Sequence, residues 1–308
     1  MTAIRIAIVG LGKIARDQHI PSLAANSAFE LVAVASPRSR LDGVRNFSDQ
    51  DALLDAMPEV AAVALCTTPQ VRFAMARSAL ERGKHVLLEK PPGMTVSEVR
   101  SLAELADKKG VTLFASWHSR HAAGVSPARA WLAGRKILSA TISWKEDVRV
   151  WHPGQEWIWR AGGLGVFDPG INALSILTQL IPGTVVLKDA QLSFPKNCET
   201  PIAANLVLAD PGGAPINMEL DFLQTGPQTW DIVIDTDAGQ LKLALGGKSM
   251  WVDDRPVRTP DIPEYASLYA HFAELVRARR CDVDVAPLQL VADAFLCGRR
   301  LEVAAFVE

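Results

Sequence analysis

A two-part α/β chain is predicted: a doubly wound parallel sheet first, then an α+β domain with a mostly antiparallel, open-faced sheet. Three observations carry this. Between Ile4 and Ala115, apolar runs of strand length alternate with helical patterns, the sign of βαβ units. The first run enters Gly10-Leu11-Gly12-Lys13-Ile14-Ala15, a G-x-G-x-x-A pattern set between strand and helix. From Val185 to about Val257, strand-like runs follow one another across Pro, Gly and Asp turns with no helix between, which implies antiparallel pairing.

In chain order, Ile4 to Val9 is the first strand, and a helical pattern runs through Leu23 and Ala24. Gly10 allows the tight turn, Gly12 lets the backbone approach a pyrophosphate, and Ala15 lets helix and strand pack closely, which points to a Rossmann dinucleotide site rather than a merely structural glycine turn. The pyrophosphate would rest on the helix N-terminus, beside Lys13 and Ile14, where free N–H groups favour anions. The second strand, Glu30 to Ala35, ends in Ser36-Pro37-Arg38 with no acid for a ribose hydroxyl. Ser36 and Arg38 suit a 2′-phosphate, which points to NADP over NAD, although a solvated basic loop has the same composition.

Asp49 to Ala56 reads as a short helix and Val60 to Leu65 as a buried strand. Thr67, Thr68 and Pro69 then form a strand-end loop before a helix from Gln70 to Arg82; they fit the nicotinamide side of a cofactor cleft or a plain helix cap. The run Val86-Leu87-Leu88 is a buried strand stopped by Pro91 and Pro92, which puts Glu89 and Lys90 at its carboxyl end, where α/β sheets bind ligands. That charged pair is either an ion pair closing the sheet or part of a reaction centre. A helix from Val96 to Lys109, capped by Thr95 or Ser97, and a strand from Val111 to Ala115 complete six βα-type units.

The pattern changes at Ser116 to His121, so the boundary falls at 118/119: a dinucleotide-binding domain over 1–118 and a substrate domain over 119–308, whose C-terminal helix is free to pack back on the first. A helix near Pro127 to Ala133 leads to a strand from Ile137 to Lys145. Trp and His then crowd the segment Glu146 to Trp159. Indole faces can stack on a sugar ring and polar groups pair its hydroxyls, although Trp residues also plug cores. Gly162 to Gly165 enter a helix through Leu180, with Asp168 and Asn172 four apart on one face, although an Asp near a helix N-terminus is also an ordinary cap. Strands are expected at Val185–Phe194, Ile202–Ala209, Ile216–Phe222, Trp230–Asp235, Leu241–Leu245 and Met250–Val252. Helices near Tyr265 to Arg279 and Leu288 to Ala304 follow. One sheet face should pack on the Asp168 helix, and a second copy of the chain could cover the other, giving a homodimer.

The totals exclude several classes. A length of 308 residues suits two domains, and 49% hydrophobic with 21% charged residues suits a large core. A formal net charge of -2 offers no electrostatic case for nucleic acid or an anionic membrane. Cys66, Cys198, Cys281 and Cys297 are scattered, form no metal-ligand pair, and suit reduced thiols in the cytoplasm. No run is long enough for a bilayer span, and no signal-peptide layout precedes the first strand.

With Gly10-x-Gly12-x-x-Ala15, Glu89-Lys90-Pro91 and the Asp168-x-Gly170 helix start in hand, nearly the whole chain resembles the oxidoreductases typified by glucose-fructose oxidoreductase and inositol dehydrogenase. Within that family, Trp144 to Arg149, Trp151 to Gln155 and Gly163 to Ser175 look like the bacterial 1-dehydrogenases of L-arabinose and D-galactose. The resemblance implies an NAD(P)-dependent aldose 1-dehydrogenase. It carries over Lys90, Asp168 and Asn172 as catalytic positions, and Lys90, His118, Glu146, Trp151, His152, Asp168, Asn172 and Trp230 as the sugar pocket. The family usually has His where this chain has Asn172, and an amide is no general base. The proton then falls to Asp168 with Lys90 stabilising the oxyanion, or to Lys90 itself. The alternatives are a sensor of the same fold without turnover, against which retention of Lys90 and Asp168 speaks, and a dehydrogenase for another sugar or polyol.

Overall fold

The computed structural model describes residues 2–308. The chain forms two compact units: one runs to His118 and takes in Pro263–Val285, and the other comprises Ser119–Ile262 and Ala286–Glu308. The sequence reading left all of 119–308 in the second domain; the segment that belongs with the first unit is the penultimate helix and its tail, not the chain's last helix.

The first unit is built on a six-stranded, all-parallel sheet of order β3-β2-β1-β4-β5-β6. Its strands are β1 (Ile4–Val9), β2 (Phe29–Ala35), β3 (Arg45–Phe47), β4 (Ala62–Leu65), β5 (His85–Leu88) and β6 (Leu113–Ala115). Strands β4, β5 and β6 and the carboxyl halves of β1 and β2 are buried on both faces, which is why they read as continuous apolar runs rather than alternating ones. The sequence identified five of them. The sixth, β3, is a three-residue edge strand carrying Arg45 and Asn46, too short and polar for an apolar pattern. Helices α1 (13–24, π-helical over Ala15–His19), α2 (Gln50–Ala56), α3 (Pro69–Glu81) and α4 (Val96–Lys109) cross between strands. The start of α4 is fixed by a capping box: Thr95 accepts from the Glu98 N–H while the Glu98 side chain accepts from Thr95.

Helix α8 (Glu264–Ala278) completes this unit. Its Tyr265, Leu268, Tyr269 and Phe272 are buried in one cluster with Ile6, Ile8, Phe29 and Phe114 of the sheet. Each such side chain contributes about 1.5–3 kcal/mol by leaving water.

The second unit is a nine-stranded sheet of order β14-β13-β12-β11-β7-β10-β9-β8-β15. The strands are β7 (Ile137–Lys145), β8 (Val186–Pro195), β9 (Ala203–Ala209), β10 (Pro215–Asp221), β11 (Thr229–Thr236), β12 (Gly239–Ala244), β13 (Ser249–Val252), β14 (Arg255–Val257) and β15 (Arg299–Val303). Pairing is antiparallel except at β7–β10 and β8–β15. Alternation along β10, with Ile216, Met218 and Leu220 buried and Pro215, Asn217 and Glu219 exposed, sets one face inward. Helix α7 (Phe167–Leu180) packs on that inner face: a Cβ at Gly170 would lie 2.6 Å from Leu220 Cδ1. Helices α5 (Val125–Leu132), α6 (Val148–Trp151) and α9 (Ala286–Cys297) complete the unit. The sequence reading ran the last helix through to Ala304. The helix ends at Cys297, because Gly298 sits too close to Ala294 O and Leu192 for any side chain and the chain turns into the edge strand β15.

Candidate active site

In the first unit the carboxyl ends of β1, β2, β4 and β5 carry the predicted cofactor residues. Gly10 has φ 91° and its N–H donates to Ala35 O. A Cβ there would lie 2.9 Å from the backbone of Cys66 and Thr67, so only glycine fits. A Cβ on Gly12 would meet no described atom within 4 Å, so space is open beside the second glycine, at the start of α1. Thr67 Oγ1 is buried with no hydrogen-bond partner among the described residues. This tight turn, open cradle and idle hydroxyl fit a dinucleotide. Lys13 and Ile14 open α1, with Lys13 paired to Asp17. Ser36 follows β2, its Oγ accepting from the Ser39 N–H, and Arg38 is exposed beside it. Thr68 precedes α3, with Pro69 at its first position, but its hydroxyl makes no capping bond.

Glu89 is 3% exposed at the end of β5. Its Oε1 accepts from Tyr265 Oη at 2.6 Å and from His19 Nε2 at 3.0 Å, and its Oε2 accepts from the Lys90 N–H at 2.8 Å. His19 Nδ1 in turn donates to Tyr269 Oη at 2.7 Å. Burial pushes the Glu89 carboxyl up, but the hydrogen bond and charge of His19, the charge of His118 and the Tyr265 hydroxyl outweigh it and hold the group down at about 2. Burial opposes charge on His19 as well, and its neighbours Cys66, Tyr269 and Glu89 raise it well above the ordinary histidine value. Glu89 therefore does form a buried ion pair, with His19, and it fixes the peptide N–H of Lys90. Arg72, 2% exposed, donates to the carbonyls of Thr67, Glu89 and Pro91 and ties the two strand-end loops together. His118 bonds Glu264 at 2.8 Å and stacks on Tyr265.

The second unit gathers the predicted sugar residues. Glu146, at the end of β7, is 2% exposed. Its Oε2 accepts from Trp230 Nε1 at 2.8 Å and its Oε1 pairs with His152 Nε2 at 3.0 Å. Trp151 and Trp230 lie with ring centroids 4.9 Å apart, and Trp151 is 41% exposed, so an indole face is open to a ligand. Asp168 is 2% exposed in the first turn of α7, with Asn172 one turn on and half-buried. The structure thus brings Glu146, Trp151, His152, Asp168 and Trp230 together, with Asn172 beside them on α7; Lys90 and His118 belong to the first unit. His19, Arg72, Tyr265 and Tyr269 escaped the sequence reading. His19 alone left a signal: it shares a four-residue stripe with Ala15 and Leu23, a buried face of α1.

The family described as oxidoreductases with an NAD-binding Rossmann fold, GFO_IDH_MocA, matches residues 4–116. Galactose 1-dehydrogenase of Pseudomonas fluorescens is 45% identical over 308 residues, 100% of both chains. The chain belongs to the GFO_IDH_MocA oxidoreductase family. The crystal structure of D-galactose-1-dehydrogenase from Rhizobium etli superimposes with TM-score 0.95 at 53% identity, covering 100% of this chain and 99% of that one. An Actinomadura kijaniata 3-ketoreductase in complex with NADP and TDP-benzene shares the fold at TM-score 0.84 and 19% identity, over 98% of this chain and 99% of that one. The GFO_IDH_MocA resemblance read from the motifs is therefore correct. The chain is an NAD(P)-dependent sugar dehydrogenase of this family, and the two whole-chain relatives at 45% and 53% identity are both galactose 1-dehydrogenases.

Proposed function

We propose that the chain is an NAD(P)-dependent aldose 1-dehydrogenase that oxidises D-galactose and L-arabinose at C1 to the aldonolactone. The observation that carries this is the cluster of two buried carboxylates, Glu146 and Asp168, with the half-buried His152 between them, beside the exposed face of Trp151. Such a wall pairs ring hydroxyls and stacks an apolar sugar face. The name of the whole-chain relative supports the substrate class.

The bound nicotinamide supplies a hydride acceptor. Gly10, Gly12, Lys13, Ile14 and Thr67 to Pro69 hold the dinucleotide, and Ser36 and Arg38 read its ribose, favouring NADP while admitting NAD. The protein's own task is one proton and one orientation. Asp168 takes the C1 hydroxyl proton, Lys90 stabilises the developing oxyanion, and Asn172 aligns the hydroxyl. Glu146, Trp151, His152, Trp230 and His118 complete the sugar pocket. The setting is the cytoplasm, in keeping with four free cysteine thiols. Two copies pair through the outer face of the nine-stranded sheet, where the row Val207, Asn217, Thr141 and Val233 lies across four adjacent strands.

A pocket that pairs each hydroxyl rejects an epimer strongly, because a buried polar group is left unpaired, whereas a missing hydroxymethyl at an open edge costs little. The test is kcat/KM for D-galactose, L-arabinose and D-glucose under one set of conditions. The first two should exceed the third. Glucose equal to or above galactose refutes the assignment.

A further inference from the structure

We infer that His152 is the resting place of the substrate proton, acting through Asp168 and held in place by Glu146. The inference deepens the aldose-dehydrogenase reading and rests on it.

His152 caps the short helix α6 and lies between two buried carboxylates, with its ring against Phe222. Its Nε2 is 3.0 Å from Glu146 Oε1, and Glu146 is anchored from its other oxygen by Trp230 Nε1. An ionised carboxylate only accepts, so Nε2 carries the hydrogen and the lone pair of the neutral ring sits on Nδ1. That Nδ1 is buried and makes no hydrogen bond among the described residues. It faces Asp168 Oδ2 across 3.7 Å, too far for a hydrogen bond but within reach of an ion pair. The unpartnered Nδ1 lone pair, with a carboxylate 3.7 Å away, is a place for one proton. A proton placed there converts the contact into an imidazolium between two anions. The other charged groups at this turn, Asp147 and Arg149, are committed to each other at 2.8 Å.

Because Nδ1 is buried, it receives a proton by way of Asp168. The C1 hydroxyl gives its proton to Asp168 Oδ2, and Asp168 passes it to His152 Nδ1. With a nicotinamide bound, the C1–H bonding pair would go to it as hydride while C1=O forms. Asp168 returns to its carboxylate and the imidazolium remains between Glu146 and Asp168. The base that Asn172 cannot supply thus enters from a different element.

The test compares wild type with His152→Gln, which keeps a donor toward Glu146 but takes no proton. Turnover with D-galactose should fall by about 10²-fold, well beyond any change in KM, and the acid limb of the kcat/KM profile, which requires a neutral imidazole, should vanish. Independently of turnover, nitrogen NMR of histidine-labelled, unmodified protein should show His152 protonated on Nε2 alone at high pH and gaining a proton on Nδ1 as pH falls. Retained turnover and acid limb in His152→Gln, or an Nδ1 already protonated wherever the wild type is active, overturns the inference. Absence of sugar oxidation by the wild type overturns instead the reading beneath it.

Discussion

Replacing Glu89 by Gln keeps the shape of the side chain and removes one charge from a buried pair. His19 and Glu89 lie 3.0 Å apart with side chains 0% and 4% exposed, so little solvent screens the contact. The Glu89 carboxyl is held at about 2 against an ordinary 4.5, which corresponds to roughly 3 kcal/mol in favour of the charged form. Breaking a buried pair from one side costs about 3–5 kcal/mol, the same range reached by another route. At about 2–4 °C per kcal/mol, Tm at neutral pH should drop by roughly 6–12 °C in Glu89→Gln. His19→Gln should cost a similar amount, and the double variant should lose clearly less than the sum, because each single change strands a partner. The pH dependence has a definite sign. The depressed carboxyl contributes in full above 4.5 and its contribution fades as pH falls toward about 2, whereas the raised imidazole contributes in full below 6.5 and fades as pH rises through its elevated value. Wild-type stability should therefore be highest between those two ordinary values, and Glu89→Gln should flatten the acid side. The assay is thermal unfolding by circular dichroism for the four proteins across that range. A loss below about 1 kcal/mol in Glu89→Gln, or strictly additive losses, would refute the pair as a coupled unit.

Lys90→Met should lower turnover by roughly 10²-fold with cofactor affinity little changed, as expected for a group that handles charge at the reacting carbon. Near-normal turnover in steady-state kinetics would remove Lys90 from the mechanism. Ser36→Asp places a carboxylate at the end of β2 and should shift the ratio of efficiencies toward NAD by about tenfold, near 1.4 kcal/mol. An unchanged ratio would mean that this loop does not read the ribose.

Much of this was legible in the residue order because the signals were local. The strand-turn-helix around Gly10, the Pro-stopped strand before Glu89 and the turn-separated strand runs after Val185 all lie within a few residues of what they predict. What escaped depends on partners far along the chain. The short strands β3 and β15 carry Arg45, Arg299, Arg300 and Glu302 and exist only because β2 and β8 offer a ladder. The stretch Leu288 to Ala304 is apolar enough to pass for one helix until Gly298 meets the β8 side chains. The site divides in the same way. Asp168 and Asn172 declare themselves by spacing, but the anchoring of Glu89 draws on His19 and Tyr265, 70 and 176 positions away. No periodicity reports that distance.

The first unit is written into the chain in two instalments, and this orders its birth. When His118 is made, all six strands and the nucleotide turn exist, but the faces of Ile6, Ile8, Phe29 and Phe114 still lack Tyr265, Leu268, Tyr269 and Phe272. Roughly 140 further residues, Ser119 to Ile262, must be synthesised before helix α8 arrives, a wait of about 7–30 s at ordinary translation rates. For that interval the nascent nucleotide domain carries an uncovered apolar flank. Chains stalled at His118 should be cut by protease inside β1 to β6, and chains stalled beyond Val285 should resist. The last turn of the lock for the first domain is thus held by a segment that the ribosome delivers only after nearly the whole of the second.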